Sequence, residues 1–427
     1  MSTAKGIRAL FVAAIAIAAL AIAACGDDDG GGGGGDVTSL SVVAQAGGPG
    51  DAVKGLAADY ERETGIKVDV TLLPYEATRE RALADFTRGN ASFDVVAFDY
   101  LWGKEYADGG FLAPIDNLVD RNAEKVNIDD FFAPYIEYAK QDGKLYGLPW
   151  LGAVYMLFYR EDLLNQSGLE VPQTWEDYAA AAERLKQDHG ISGSTFIGKR
   201  DDPLVNEFAT IAWSYGGNFN EGATATMNSA ENLQAFELWD RVLETAPADS
   251  LAVDWPVAAS QFAKGQAAMM LNYSDTAETV LAEKSVANKV GFALVPKGPT
   301  GEATPALGGW AIGINSDSEK QEAAFDYITW LLSAETQRKG LELGGSATRV
   351  SVLDDPALAK RYPYFPASVE NYEAGHAFPK ATNWVEWEAA MGPPMSDALG
   401  GQTSLQEGLD KAQTELEPLV EEGLGGG

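Results

Sequence analysis

The chain has 427 residues with 63 acidic and 31 basic side chains, for a formal net charge of −32 at pH 7. This acidity excludes nucleic acid and an anionic bilayer surface as partners of the folded part, because both need basic side chains opposite their phosphates. The single cysteine excludes an internal disulfide and a cysteine-ligated zinc site, and the two histidines, His189 and His376, lie too far apart in sequence to suggest a histidine-rich metal centre, so we predict no metal and no cofactor.

The N-terminus carries a targeting pattern, in which Lys5 and Arg8 precede an uncharged, mostly apolar stretch that ends directly before Cys25. A basic start, an apolar segment and small residues at the exit are typical of a secretory signal peptide, and this segment is shorter than the roughly 20 residues that span a bilayer. Small residues next to a cysteine resemble the bacterial lipobox, so we predict a lipoprotein signal peptide over 1–24 with lipid attachment at Cys25. A single-pass anchor, or a secreted protein with a free thiol, is the alternative. The Gly- and Asp-rich residues 25–36 are predicted to be a flexible tether with a reach of about 18 Å.

Strands and helices alternate in the first part of the remaining chain. Val53, Leu56 and Tyr60 have the spacing of one helix face, and Gly65 follows as a helix cap. The predicted order is strand 40–44, helix 52–64, strand 66–71, helix 78–88, strand 93–98 and helix 103–108. Such alternation indicates an α/β fold with a parallel sheet covered by helices on both faces.

The middle of the chain contains a long apolar extended stretch, 145–159, interrupted by Gly152. The length of the chain exceeds the size of a single hydrophobic core, so we interpret this stretch as a passage between two lobes. The next helix is predicted to begin at Trp175, with Thr174 as N-cap and Asp177 completing a capping box. Beyond it we predict helices 203–214, 231–245, 256–264, 318–332 and 404–422, and strands 267–271, 290–295 and 310–314.

Four runs of sequence together resemble the family 1 extracellular solute-binding proteins, the carbohydrate receptors of ABC importers. The runs are DVVAFDYLWGKEYADGGFLAPIDNL (94–118), 145–178, FAKGQAAMM (262–270) and 308–337. The resemblance implies an α/β, two-lobed, periplasmic-binding-protein-like fold of type II, which has three hinge crossings and closes around a ligand held between the lobes. The crossings would fall at about 152–155, 295–299 and 329–333. The lobes would comprise 37–153 plus 298–331 for the N-lobe, and 154–297 plus 332–427 for the C-lobe.

Candidate ligand-binding residues follow the predicted strands, because ligands of open α/β sheets bind outside the carboxyl ends of strands. Asp99 and Tyr100 follow strand 93–98, and Tyr273 and Asp275 follow the strand that starts at residue 267. A pyranose stacks on aromatic rings, and its hydroxyls bond strongly to charged groups. Asp99 could instead be a buried N-cap, and Asp275 a helix cap.

Aromatic residues near the predicted crossings are further candidates. Trp310 follows Gly308 and Gly309, which allow close approach of the backbone to a ligand, although Trp310 could also be core. Trp150 and Tyr155 flank the first crossing, where the floor of the cleft is expected, and hinge packing is their alternative role.

The family resemblance supplies the remaining candidates. Arg349 matches a position where family members place a hydroxyl-binding arginine, with a surface salt bridge as the alternative. Trp384 and Trp387, with Glu386 between them, resemble the late segment of the cleft wall. Weaker candidates come from position alone: Gln45 follows the first strand, and Asn206 and Glu207 open a helix in the second lobe.

Three functions remain open at this point. The first is a non-catalytic receptor that captures a neutral sugar or oligosaccharide and delivers it to the transmembrane subunits of an ABC permease, as a monomer anchored through Cys25 at the outer face of a bacterial cytoplasmic membrane. The second is a same-fold receptor for a polyamine or another small solute, against which Arg349 in the cleft would argue. The third is a surface-anchored glycoside hydrolase, which needs two carboxylates about 5–10 Å apart. We predict a binding protein rather than an enzyme.

Overall fold

The computed structural model describes residues 37–425. The predictions for the signal peptide (1–24), for Cys25 and for the tether lie outside the described residues. No helix within 37–425 combines the length and the apolar character needed to cross a membrane.

Strands and helices alternate through most of the described chain. The strands are β1 (Ser39–Gln45), β2 (Lys67–Leu73), β3 (Val95–Asp99), β4 (Lys140–Gln141), β5 (Lys144–Leu145), β6 (Leu148–Arg160), β7 (Ser192–Ser194), β8 (Asn220–Glu221), β9 (Thr224–Ala225), β10 (Ala267–Tyr273), β11 (Val290–Ala293) and β12 (Leu307–Ile314).

The helices are α1 (Gly48–Thr64), α2 (Tyr75–Arg88), α3 (Gly103–Asp108), α4 (Asp116–Arg121), α5 (Ala123–Val126), α6 (Ala133–Tyr138), α7 (Glu161–Ser167), α8 (Trp175–His189), α9 (Asp202–Ser214), α10 (Ala230–Leu243), α11 (Trp255–Ala263), α12 (Ala277–Ala282), α13 (Gln321–Leu331), α14 (Ala334–Leu341), α15 (Val350–Leu353), α16 (Pro356–Arg361), α17 (Phe365–Glu373), α18 (Trp384–Leu399) and α19 (Leu405–Leu424).

Local sequence signals account for several of these boundaries. Gly65 ends α1 in the left-handed conformation, with φ at 78°, as predicted. The capping box at the start of α8 is also confirmed, because Thr174 accepts from the backbone N–H of Asp177 while the Asp177 carboxylate accepts from that of Thr174. Helix α1 begins one turn earlier than predicted, and Pro49, whose fixed φ suits a helix start, lies in its first turn.

One long strand joins two halves of a twisted sheet. The strand order is β2-β1-β3-β12-β6-β10-β7, with β11 paired to β6 as well. The first half of β6 pairs antiparallel with β12, where Val154 lies opposite Leu307, and its second half pairs with β10, where Tyr155 lies opposite Tyr273. Strands β1, β2 and β3 are parallel to one another, and β12 runs antiparallel to β3. The first lobe is therefore built on β2-β1-β3-β12 and the second on β10, β7 and β11.

The first passage between the lobes occurs within the predicted 152–155, where β6 changes its partner strand. The second passage lies later than the predicted 295–299. Ala306 still donates its backbone N–H to the second-lobe Thr210 hydroxyl at 3.1 Å, and β12 begins at Leu307.

The third passage also lies later than the predicted 329–333, since α13 and α14 both pack on α1 of the first lobe. The Tyr362 hydroxyl donates to the Leu341 carbonyl at 3.2 Å, whereas the ring of Tyr364 packs on Phe292 of β11. The chain thus changes lobes between Tyr362 and Tyr364. We propose lobe boundaries near 154, 307 and 363 in place of those expected from the resemblance.

Candidate ligand-binding cleft

A cavity of about 490 Å³, here named the first chamber, lies between the two lobes. Strands β1, β3 and β10 end at its wall, in keeping with the rule that ligands bind at the carboxyl ends of strands. It brings together a subset of the predicted ligand-binding residues, namely Gln45, Asp99, Asn206, Tyr273, Asp275, Gly309 and Trp310. Their role in binding stays a prediction.

Two glycines at the start of β12 allow the strands and an aromatic ring to approach one another. Gly309 has φ at 114°, and a Cβ there would lie 2.2 Å from the carbonyl oxygen of Leu151. A Cβ on Gly308 would lie 2.7 Å from the Tyr273 ring. Both glycines also line the first chamber, and their expected close approach to a ligand stays a prediction.

Trp310 lines the first chamber from the first lobe and is held by other aromatic rings. Its ring is only 3% exposed. It packs edge-on against Tyr75 with centroids 5.8 Å apart, against Trp102 at 4.9 Å and against Trp150 at 6.2 Å. Edge-to-face pairs at such distances are favourable beyond the area they bury. Trp310 is therefore part of the core at the start of β12, which was the alternative considered for it, and it also lines the cleft.

A chain of hydrogen bonds lines the chamber from the second lobe. The Tyr273 hydroxyl donates to the Asn206 side-chain oxygen at 2.6 Å, and the Asn206 amide nitrogen donates to the Asp202 carboxylate. Tyr155 lies beneath Tyr273, with ring centroids 4.4 Å apart, and its hydroxyl accepts from the Trp255 indole at 2.8 Å. Tyr155 is fully buried, so it supports the wall rather than facing the cavity, as its alternative role of hinge packing proposed.

Carboxyl groups from both lobes meet at this chamber. Asp99 accepts from the Leu101 backbone N–H at 3.0 Å, so it is the N-cap that was considered as an alternative, yet it also lines the cavity. Burial, with the charge of Asp202 adding to it, raises the pKa of Asp99 to about 8. Burial likewise raises the pKa of Asp202 to about 6. Burial and the charge of Asp202 raise the pKa of Glu388, which shares a hydrogen bond with Asp202, well above its usual range. Protonated carboxyls can both donate to and accept from hydroxyl groups.

Within 37–425 no group of three or more His, Cys, Asp or Glu side chains is arranged to hold a metal ion.

The predicted place of Arg349 in the cleft needs correction. Arg349 is 3% exposed and lies in the first lobe, where its guanidinium pairs with Asp130 at 3.2 Å and donates to the Val126 carbonyl at 2.8 Å. The guanidinium carbon also lies 4.1 Å from the centre of the Phe131 ring. Arg349 therefore forms a buried ion pair within the first lobe. It is neither a cleft residue nor part of a surface salt bridge.

Several other predicted residues are buried away from the cavity. Tyr100 stacks on Tyr138 with centroids 4.7 Å apart. Glu207 accepts from the Trp239 indole at 3.1 Å and from the backbone N–H of residue 197 at the same distance. The Trp384 indole donates to Glu388 at 2.5 Å, and the Trp387 indole donates to a carbonyl of α19. The cavity is therefore not lined by any of these four predicted residues, Tyr100, Glu207, Trp384 and Trp387.

Some residues that line the first chamber were not predicted from the sequence. Tyr75 and Glu76 open α2, one residue after the end of β2, and Asp202 opens α9. The rule applied to β3 and β10, that residues after a strand face the ligand, would have found Tyr75 and Glu76 if it had been applied to β2 as well. Trp255 opens α11, and nothing in its local pattern separates it from a core tryptophan.

The model of the family described as bacterial extracellular solute-binding protein matches residues 18–338. The chain belongs to this family. The family and the similar proteins are solute-binding proteins, so the chain is a binding protein and not an enzyme.

Relatives and solved structures are similar over most of the chain. A probable amino-acid ABC transporter periplasmic-binding protein of Sinorhizobium fredii is 27% identical over 337 residues, which are 77% of this chain and 76% of the relative. An ABC transporter solute-binding protein of Agrobacterium radiobacter K84 in complex with ribitol is 28% identical, with a TM-score of 0.81 over 90% of this chain and 99% of that one. Maltose-bound MalE3 of T. maritima is 25% identical, with a TM-score of 0.80 over 89% of this chain and 99% of that one.

These comparisons confirm the predicted family and the predicted two-lobed α/β fold of a solute-binding protein.

Proposed function

We propose that this solute-binding protein is the receptor of an ABC importer, and that it captures a neutral sugar or polyol in the first chamber by closure of the two lobes. The observation that carries the proposal is the combination of half-buried aromatic rings (Tyr75, Trp255 and Tyr273) with carboxyl and amide groups in one interlobe cavity. Aromatic faces stack on the apolar side of a sugar, and the polar groups bond to its hydroxyls. The ribitol and maltose in the two similar structures have this chemistry.

An amino-acid ligand, as the name of one relative suggests, fits the chamber less well. An α-carboxylate needs a cationic side chain or a cluster of backbone N–H groups. Lys199 and Arg200 line the chamber, but Lys199 pairs with Asp254 at 3.3 Å and Arg200 pairs with Asp397. Both cations are therefore already matched by carboxylates of the protein.

A cationic solute such as a polyamine is the second candidate, because the chamber is rich in carboxyl groups. Arg349 was the residue expected to argue against a cation, and it lies in the first lobe away from the cavity. The pKa of Asp99, raised to about 8, favours its neutral form near pH 7, which bonds to hydroxyls and attracts a cation less.

Thermal unfolding with a panel of ligands separates these candidates. A ligand present at 100 times its Kd stabilises the folded state by about 2.7 kcal/mol, which is readily measured. The panel contains pentitols, hexitols, monosaccharides, disaccharides, amino acids and spermidine. We expect a carbohydrate or polyol to raise the melting temperature. A shift with spermidine or an amino acid alone would overturn the proposal.

We further propose that the chain is a lipoprotein anchored through Cys25, with 25–36 as its tether to the outer face of the cytoplasmic membrane, and that it works as a monomer. The support is the sequence pattern before Cys25 and the partnership with a membrane permease that an ABC receptor requires. In cells, Cys25→Ala should release the protein from the membrane fraction while leaving its ligand affinity unchanged. Membrane retention of that variant, or a dimer in light scattering, would contradict the respective proposal.

A further inference from the structure

A second cavity, of about 540 Å³ and here named the second chamber, adjoins the first. Gln45, Leu151, Pro256 and Asp275 line both cavities. Gln45 comes from the end of β1 in the first lobe and Asp275 follows β10 in the second, so the two chambers meet between strand ends of opposite lobes. The cleft is therefore longer than the first chamber alone.

The second chamber is enclosed by both lobes. Its first-lobe wall consists of the loops 46–49 and 344–346, which touch each other, since a Cβ on Gly48 would lie 2.5 Å from the Gly344 carbonyl oxygen. Its second-lobe wall includes residues of α11, the start of α12 and one face of α17. Lobe closure around a ligand would therefore enclose the second chamber together with the first.

The lining of the second chamber repeats the chemistry of the first. Glu278 and Thr279 are exposed on α12, and Tyr364 contributes a half-buried ring. Ser346 lines the same chamber from the first lobe, where its hydroxyl accepts from the Gly152 backbone N–H at 3.3 Å. Hydroxyl and carboxylate groups beside an aromatic ring are the groups that a sugar unit uses.

Aromatic rings connect the two chambers. Trp310 lines the first chamber and Trp150 the second, and their ring centroids are 6.2 Å apart in an edge-to-face arrangement. The two chambers are thus joined by packed aromatic rings as well as by the residues that line both of them. Tyr364 and Thr279 line only the second chamber, so a ligand confined to the first chamber would not contact them.

We propose that the ligand is an oligosaccharide of at least two sugar units, with one unit in the first chamber, the next in the second, and the linkage between them near Gln45 and Asp275. This inference rests on the proposed carbohydrate receptor function and narrows its ligand class. Among the ligands of similar proteins, it favours one built like maltose over one built like ribitol.

Calorimetric titration of the purified protein with pentitols, hexitols, monosaccharides, disaccharides and trisaccharides tests the proposal. We expect the best disaccharide or trisaccharide to bind at least tenfold more tightly than the best polyol or monosaccharide. Two variants then fill the second chamber from opposite walls, Thr279→Trp on α12 and Ala46→Trp on the first-lobe loop, both at exposed positions. Each should reduce the preference for the longer ligand at least tenfold.

Ala282→Trp is the matched control, because residue 282 is exposed on the same helix but does not line the chamber, and it should keep the full preference. If a polyol or monosaccharide binds as tightly as every longer ligand, or if both filling variants keep the preference, the inference is wrong while the carbohydrate receptor stands. If no carbohydrate or polyol binds at all, the proposed function fails with it.

Discussion

The two walls of the first chamber are built by different forces. On the first-lobe side, Trp310 is fixed by rings packed around it, with Tyr75 and Trp102 both within 6 Å of its centroid. On the second-lobe side, Tyr273 and Asn206 belong to a hydrogen-bonded chain that continues into buried carboxyl groups. The first wall is an apolar platform and the second a polar network.

This difference separates two contributions to affinity. A packed ring offers area and shape, so its loss should weaken every ligand that stacks on it. A buried polar network orients the groups that bond to the ligand, because each group is held by its neighbour. The loss of one group therefore leaves others without hydrogen-bond partners. Substitutions on the first wall should therefore change affinity through the area in contact with the ligand. Substitutions on the second wall should change it through the orientation of the hydrogen-bonding groups.

The largest expected effect on affinity is that of Trp310→Ala. We expect sugar affinity to fall at least tenfold, which corresponds to about 1.4 kcal/mol. Because the ring is also packed in a cluster, the free energy of unfolding should fall by about 3–5 kcal/mol. Calorimetric titration and urea unfolding measure the two effects. Trp310→Phe keeps a ring and should retain most of the affinity, whereas an unchanged affinity in Trp310→Ala would remove this residue from the site.

A smaller effect is expected on the second wall, from Asn206→Ala. The variant breaks the bonds to Tyr273 and Asp202 and so loses the orientation of these groups. We expect a loss of binding free energy equal to about one hydrogen bond, about 1 kcal/mol, which weakens binding about fivefold. The neighbouring Glu207→Gln is the matched control, because Glu207 bonds to Trp239 in the core and not to the cavity. Equal losses of affinity in both variants would mean that the helix as a whole, and not the network, supports binding.

Sequence reasoning predicted the local features of this molecule well. The glycine cap of α1, the capping box of α8 and the strand ends that present Asp99 and Tyr273 all depend on residues close together in sequence. It failed where a side chain meets a distant partner. Arg349 lies opposite Asp130, and the spacing of residues around Arg349 carries no sign of that pairing.

The tryptophans illustrate the same limit. Trp310 lines the cavity while Trp384 and Trp387 pack inside the second lobe, although all three lie in apolar, aromatic-rich surroundings in the sequence. Contacts with residues distant in sequence make the difference, since the Trp387 indole donates to the Leu419 carbonyl of α19 whereas Trp310 packs on Tyr75 and Trp102 beside the cavity.

The buried carboxyl group of Asp99, at the end of β3 on the first-lobe wall, should cause a pH dependence of stability. The pKa of Asp99 is about 8 in the folded protein against 3.8 in the unfolded chain, so the folded state binds more protons between these values. The contribution of Asp99 to stability is thus fully present below about pH 4 and is lost as the pH rises through about 8. Urea unfolding of the ligand-free protein should give a free energy at about pH 9 that is lower than at about pH 5 by at least 1.4 kcal/mol, the equivalent of about one pKa unit. Asp99→Asn should flatten this slope, and an identical slope in that variant would show that other groups cause it.

The smallest effect on affinity is expected from Arg349→Lys, although its effect on stability should be clear. Lysine keeps the charge opposite Asp130 but cannot also reach the backbone carbonyls that the guanidinium fork bonds, nor stack in the same way on Phe131. We expect the melting temperature to fall while the Kd of the ligand stays within twofold of its original value. The two walls of the chamber lie outside this ion pair, so a loss of affinity as large as that of Asn206→Ala would show that the arginine acts on the ligand and that the correction of its place is mistaken.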